Sequence, residues 1–356
     1  MWPVPPRSSG LRQEAAQGDA PQGAGDTVRP RGRRMPLTES DHSGTVERQT
    51  TRRERPSAIG KGLVMRIGVV FPQTEIGSDP AVIRAYAETV EELGYTHLLT
   101  YEHVVGVDLA RYPGWRGPYH AGHQFHEPFV LFGYLAAVTR RLELVTGVVI
   151  LPQRQTVLVA KQAAEVDVLS GGRLRLGVGV GWNEAEYIAL GMDFHTRGRR
   201  EEEQITVLRL LWTQPIVSFE GRWHRLPAVG LNPLPVQRPI PIWLGGMSEA
   251  ARRRAARLAD GWMPQWRPTA ELRTMVEELR EWVVAAGRDP ARFGIEGRLT
   301  LAQVPRAEWL ADIEAWRRLG ATHLCINTMG LGLPSPQAHL DMLRELAQAL
   351  GLEPAR

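Results

Sequence analysis

A single cysteine, Cys325, stands among 356 residues, so no disulfide can form within the chain, and this usage fits a reducing cytoplasm. No uninterrupted apolar run approaches the roughly 18 residues that a membrane-spanning helix needs. A large excess of one charge sign is also missing. The net value is +4, and much of the excess sits in the arginine-rich first segment with no aromatic cluster beside it, which argues against a nucleic-acid surface. The glycine-rich turn at 177–181 is not Gly-x-Gly-x-x-Gly, so the dinucleotide fingerprint is missing there. What is present is ample apolar material, 43% of the residues, enough for a sizeable core. Eleven tryptophans, several in loops beside Gly, Pro or Arg, could line a pocket for a flat ligand.

Residues 1–64 are rich in Pro, Gly, Ser, Gln and Arg and have no apolar periodicity, so a disordered N-terminal extension is expected. A transit or regulatory tail is one alternative. A simpler one is translation from Met65, because Met65–Pro72 reads as a first strand. Residues 65–350 then alternate between strand and helix signals through about eight βα units. That pattern predicts a parallel sheet closed into a (β/α)8 TIM barrel. One insertion interrupts it: Ile216–His224 reads as a β-hairpin with its turn at Glu220-Gly221.

The central stretch, Leu142–Glu203, reads as strand, helix, Gly-Gly turn, second strand and new helix. Gly177, Gly179 and Gly181 fall at every second position and so share one strand face. Either a ligand approaches that bare face or the small residues relieve crowding inside the barrel. Asn183 is placed to cap the following helix. Active sites of such barrels lie at the carboxyl ends of the strands. This singles out Pro72, Glu102-His103, Thr146-Gly147, Gly179–Asn183, Gly245-Gly246 and Asn327. Glu102 and His103 could act as acid, base or cofactor contact. His120, His123 and His126 could join His103 in a metal-dependent hydrolase, although their spacing suits no compact zinc motif. The charges at Gly198–Glu203 and the arginines at 252, 253, 254 and 257 read as solvated helix faces.

Several stretches carry a resemblance through their order and spacing. They are Tyr101-Glu-His103, Glu127-Pro-Phe129, Leu144–Pro152, Ala160–Ala164 with Asp167, and Ser170-Gly-Gly-Arg173. Gly177–Glu184, Gly198-Arg199 with Glu202, and Pro241–Gly246 complete the set. From Met65 to about Leu350 the chain resembles the bacterial luciferase-like family of (β/α)8 flavin and deazaflavin oxidoreductases, and most of all its branch using coenzyme F-420. The resemblance implies that Glu102-His103 lies beside the deazaflavin ring, with His103 as proton donor. It implies a bulge, often with a non-prolyl cis peptide, at Thr146-Gly147 behind the ring. The run Gly179, Val180, Gly181, Trp182 and Asn183 would hold the cofactor tail and ring edge, and Gly245, Gly246 and Met247 its phosphate. The expected activity is hydride transfer between coenzyme F-420 and an organic substrate. FMN with O2 is the alternative on the same fold, and a barrel that binds cofactor without catalysis is a further rival. The expected partners are a small-molecule substrate and a second copy of the chain in a homodimer.

Overall fold

The computed structural model describes residues 65–354, so the expectations for residues 1–64 lie outside it. The first half of the described chain runs β1 (Arg66–Val70), α1 (Pro80–Glu92), β2 (His97–Thr100), α2 (Pro128–Val138), β3 (Glu143–Thr146) and β4 (Val149–Ile150). It continues with α3 (Thr156–Ser170), β5 (Leu174–Gly179), α4 (Glu184–Ala189) and α5 (Arg197–Thr213). A hairpin follows, β6 (Val217–Glu220) and β7 (Arg225–Val229). The remainder is β8 (Ile242–Gly245), α6 (Glu249–Leu258), β9 (Gly261–Met263), α7 (Ala270–Ala285), β10 (Gly294–Thr300), α8 (Trp309–Leu319), β11 (His323–Asn327) and α9 (Pro336–Leu350).

The sheet order is β3-β2-β1-β11-β10-β9-β8-β5-β4, and β3 also pairs with β5, which closes the ring. β3 and β4 are two pieces of one staggered strand, so the barrel has eight parallel staves, as the alternating pattern predicts. Local chemistry sets the helix ends. Asp79, Glu127 and Ser335 each cap a helix start with a side-chain oxygen, and each is followed by proline at the first helical position. Gly171, Gly320 and Gly351 end three helices in the left-handed conformation. The Ser170-Gly-Gly-Arg173 motif goes further: the Arg173 guanidinium donates to the Ala136, Thr139 and Leu142 carbonyls at the end of α2.

The strand break falls where the resemblance places it, with the cis bond one residue on, at Gly147–Val148 and not at Thr146-Gly147. The break also explains the alternating glycines. A Cβ at Gly177 would lie 1.9 Å from the Thr146 carbonyl oxygen, and one at Gly179 2.8 Å from Val148 Cγ2. Gly177 and Gly179 are therefore packed against the bulge and not left bare, which is the crowding-relief reading, while Gly181 lies at the cavity.

Two further expectations are corrected. The hairpin turn comprises Gly221–His224, with Gly221 N–H donating to the His224 carbonyl, so the second strand starts at Arg225. Glu203 from α5 dictates this, because its carboxylate accepts the N–H groups of Arg222, Trp223 and His224 and the His224 ring. Nor are the charged helix faces solvated throughout. Glu201 is 1% exposed and pairs with Arg254, itself 8% exposed, and Arg252 is buried against Glu278. Arg253 and Arg257 do face solvent, as expected.

Candidate active site

Inside the barrel, side chains stack in layers. The lower layer is ionic: Arg175 pairs with Glu296 and with Glu143 (3.3 Å), and Glu296 also takes His97 Nε2 and Cys325 Sγ at 3.0 Å. Burial works against the Glu296 charge, but Arg175 and His97 hold its carboxyl well below the usual range. Burial pushes the Cys325 thiol well up, which makes this lone cysteine an inert core group. Above it sits an apolar plug that includes Val70, Leu99, Val145, Met263 and Met329. A cavity of about 190 Å³ opens on this plug at the carboxyl ends of the strands.

The cavity brings together Glu102, His103, Gly147, Gly181, Trp182 and Asn183 from the residues singled out in the sequence. Thr146, Gly179, Val180, Gly245, Gly246 and Met247 do not line it. Thr146 is fully buried and donates its hydroxyl to the Gly177 carbonyl, tying β3 to β5. A Cβ at Gly245 would come within 3.1 Å of Val148 Cγ1, so that glycine, like Gly179, makes room for the bulge. The Gly245–Met247 turn leads from β8 into α6, whose start Ser248 caps.

The adjacent residues Glu102 and His103 part company. Glu102 is 4% exposed, and its carboxylate accepts from the Ile150 N–H and from the Arg154 guanidinium. Arg154 reaches on to Glu127 at 2.8 Å, the residue that caps α2, and lies over the Phe129 ring. The Glu127-Pro-Phe129 motif is thus the far anchor of a clamp that holds the chain after the strand break. His103 turns into the cavity, and its Nδ1 meets Glu186 Oε2 at 3.2 Å. Burial alone would raise the Glu186 carboxyl, but the His103 ring and the Val104 and Val105 N–H groups hold it below the ordinary carboxylate range. The Phe125 and Tyr119 rings stand 4.9 and 5.2 Å from the His103 ring, and Trp182 stands 5.6 Å away.

The sequence reading did not single out Glu186, Arg154, Tyr119 or Arg298. Glu186 carried a signal: it stands three residues beyond Asn183, and its N–H bonds that capping side chain. Arg298 carried another, as a charged residue two positions after Glu296 in a strand that reads as buried. His120 and His123 stand 4.2 Å apart by ring centroids and line a second cavity with His103, but their Nδ1 atoms are engaged within the loop and His126 lies elsewhere. His123 Nδ1 accepts from the His120 N–H, His120 Nδ1 accepts from the Gly122 N–H, and His126 Nε2 contacts Gln124 and the Gly77 carbonyl. Among the described residues, the one group with ligand atoms all within 4.8 Å is His97, Glu296 and Cys325, where Arg175 already neutralises the carboxylate. The hydrolase reading therefore finds no assembled site in the loop.

A flat conjugated cofactor fits these residues. Gly147 and Val148 line one wall, and His103, Tyr119 and Trp182 supply aromatic edges.

Comparison with known proteins gives the following. The sequence profile described as luciferase-like monooxygenase matches residues 65–347. An uncharacterized protein of Mycobacterium tuberculosis is 42% identical over 168 residues, covering 47% of this chain and 57% of the relative. Another from that species is 31% identical over 218 residues, covering 61% of this chain and 74% of the relative. An FMNH2-dependent dimethylsulfone monooxygenase of Pseudomonas putida is 35% identical over 166 residues, 46% of each chain. The chain thus spans about half the length of several of these relatives. Among solved structures, a monooxygenase from Streptomyces bottropensis superposes with a TM-score of 0.66 at 22% identity, covering 80% of this chain and 98% of that one. A coenzyme F-420-dependent secondary alcohol dehydrogenase superposes with a TM-score of 0.65 at 18% identity, covering 80% and 99%. At these identities the superpositions establish the fold alone.

Proposed function

Because this chain belongs to the luciferase-like monooxygenase family, we propose that it is an oxidoreductase that moves hydride between coenzyme F-420 and a small organic substrate. The observation that carries this reading is His103, an imidazole on the cavity wall, oriented by a buried carboxylate at 3.2 Å. Hydride delivery to a polarised double bond leaves charge on one atom, which a positioned acid must protonate.

The bound deazaflavin would supply or accept the hydride. The chain's own residues do the rest. Gly147 and Val148 form the wall against which the ring would lie, while the turn at Gly245–Met247 and the start of α6 would meet the phosphate. With Nδ1–H donated to Glu186, the imidazolium form of His103 would give its Nε2 proton to the substrate atom, leaving the neutral Nδ1–H tautomer to be reprotonated from solvent. Trp182, Trp115 and Tyr119 cover the histidine and limit water at the reacting atoms.

FMN with O2 is the second reading, favoured by the FMNH2-dependent relative. The two separate in one experiment. Reduced coenzyme F-420 is mixed anaerobically with the protein and a panel of ketones, aldehydes and activated alkenes, and reoxidation is followed by absorbance. The proposal expects protein-dependent reoxidation with at least one acceptor. Turnover confined to FMNH2 in the presence of O2 would overturn it in favour of the monooxygenase.

A further inference from the structure

Enclosed guanidinium groups in this barrel are answered by carboxylates or, as at Arg173, by backbone carbonyls. Arg175 meets Glu296 and Glu143, Arg154 meets Glu102 and Glu127, and Arg254 meets Glu201 and Glu202. Arg298 departs from that rule. Among the described residues it has no ion pair and no hydrogen bond, and its Nε is shielded from water without a partner. Its contact is the Tyr101 ring, 4.7 Å from the guanidinium carbon.

Strand geometry puts it there. Side chains alternate along β10, so Glu296 and Arg298 share the interior face, one layer apart. Glu296 is taken up by Arg175, His97 and Cys325 in the layer below. Arg298 rises into the active-site cavity beside Tyr101, Tyr119 and His103. In the barrel order β10 stands four staves from β3, on the far side of the ring from the Gly147–Val148 wall. The cofactor wall and the guanidinium thus face each other across the space a substrate would fill. A partly buried cation with no counter-charge is costly, and the cost is recovered when an oxyanion arrives at the guanidinium fork.

We propose that Arg298 anchors the substrate, and that the substrate carries a carboxylate or sulfonate which Arg298 binds while its reacting carbon faces His103. This rests on the reading of the cavity as the active site. A purely structural arginine would be expected to have a partner of its own, as the others do.

The test uses the full chain and measures tryptophan fluorescence, since Trp182 lines the cavity. The probes are benzoate and benzenesulfonate, with benzamide and methyl phenyl sulfone as neutral counterparts of similar shape. The wild-type protein should bind the anions about tenfold or more tightly than the neutral probes, less so in high salt. Arg298→Gln should abolish that preference, and Arg298→Lys should retain part of it. Both variants should unfold at or above the wild-type Tm, because an unanswered cation has been removed or made more flexible. Cofactor affinity should be unchanged in both. A wild type without anion preference, or a preference that survives Arg298→Gln, overturns the proposal. So does an Arg298→Gln protein that loses cofactor affinity as much as probe affinity, which would make Arg298 a cofactor contact. Anion preference that depends on Arg298 in a protein that binds no coenzyme F-420 would sink the hydride-transfer reading and leave this one standing.

Discussion

His103 and Glu102 are neighbours in sequence and serve different ends. Both border the cavity, but alternation along the chain turns the His103 ring toward Glu186 and the Glu102 carboxylate into the clamp around Arg154. His103→Ala should slow hydride transfer by about 10²–10⁴-fold, the range for losing a general acid, with cofactor affinity little changed. Single-turnover absorbance and fluorescence quenching measure the two separately. If affinity collapses and the rate survives, His103 is a cofactor ligand. Glu102→Ala should act on stability, since it strands the Arg154 guanidinium and the Ile150 N–H in the interior. A loss of about 3–5 kcal/mol in urea unfolding is expected, and an unchanged midpoint would contradict the clamp. The sequence placed His103 correctly at a strand end. It could not separate the pair, because the partners that sort them, Arg154 and Glu186, lie 52 and 83 positions away.

At the scale of elements, α5 is the helix whose character the sequence hid. Its acidic run Glu201–Glu203 reads as a wet face, yet the three carboxylates have different surroundings. Glu203 organises the hairpin turn, Glu202 meets Arg254 and Arg257, and Glu201 is enclosed against Arg254. Three successive residues span most of a helical turn, so only the packing of α6 and the hairpin decides which of them is buried. Burial pushes the Glu201 carboxyl up to about 7, against the pull of Arg254. The folded value exceeds the unfolded one, so the associated stability is full below about pH 4.5 and is lost as pH rises toward 7. Glu201→Gln should flatten that decline in a series of urea melts, by at most about 3 kcal/mol. A wild-type stability that does not fall between those limits would contradict the assignment. Glu203→Ala removes the acceptor for three turn amides and should cost about 2 kcal/mol while leaving the barrel strands intact, as amide exchange would report. Protection lost throughout the sheet would show that the turn is coupled to the barrel strands.

For the whole molecule, the eight-stave closure was legible because strand and helix signals alternate along the chain and the strands read as apolar. The interior ionic layer was not. Arg175, Glu143, Glu296 and His97 come from four different strands and meet only when the ring closes. Removing one member leaves a charge without its partner, so Glu296→Ala should destabilise by about 3–5 kcal/mol. The alternating glycines were legible as a pattern but not as a cause, since their neighbour is the Thr146–Val148 bulge of another strand. The proposed function stands on one cavity that would take a deazaflavin between the Gly147–Val148 wall and His103. The most direct measurement is an equilibrium titration of the full chain with coenzyme F-420 and, separately, with FMN, followed by cofactor and tryptophan fluorescence. The account predicts saturable one-to-one binding of coenzyme F-420, at least about tenfold tighter than FMN, with quenching of the cavity tryptophan Trp182 that is lost in Trp182→Phe. Preferential binding of FMN, or no binding of either, would contradict it.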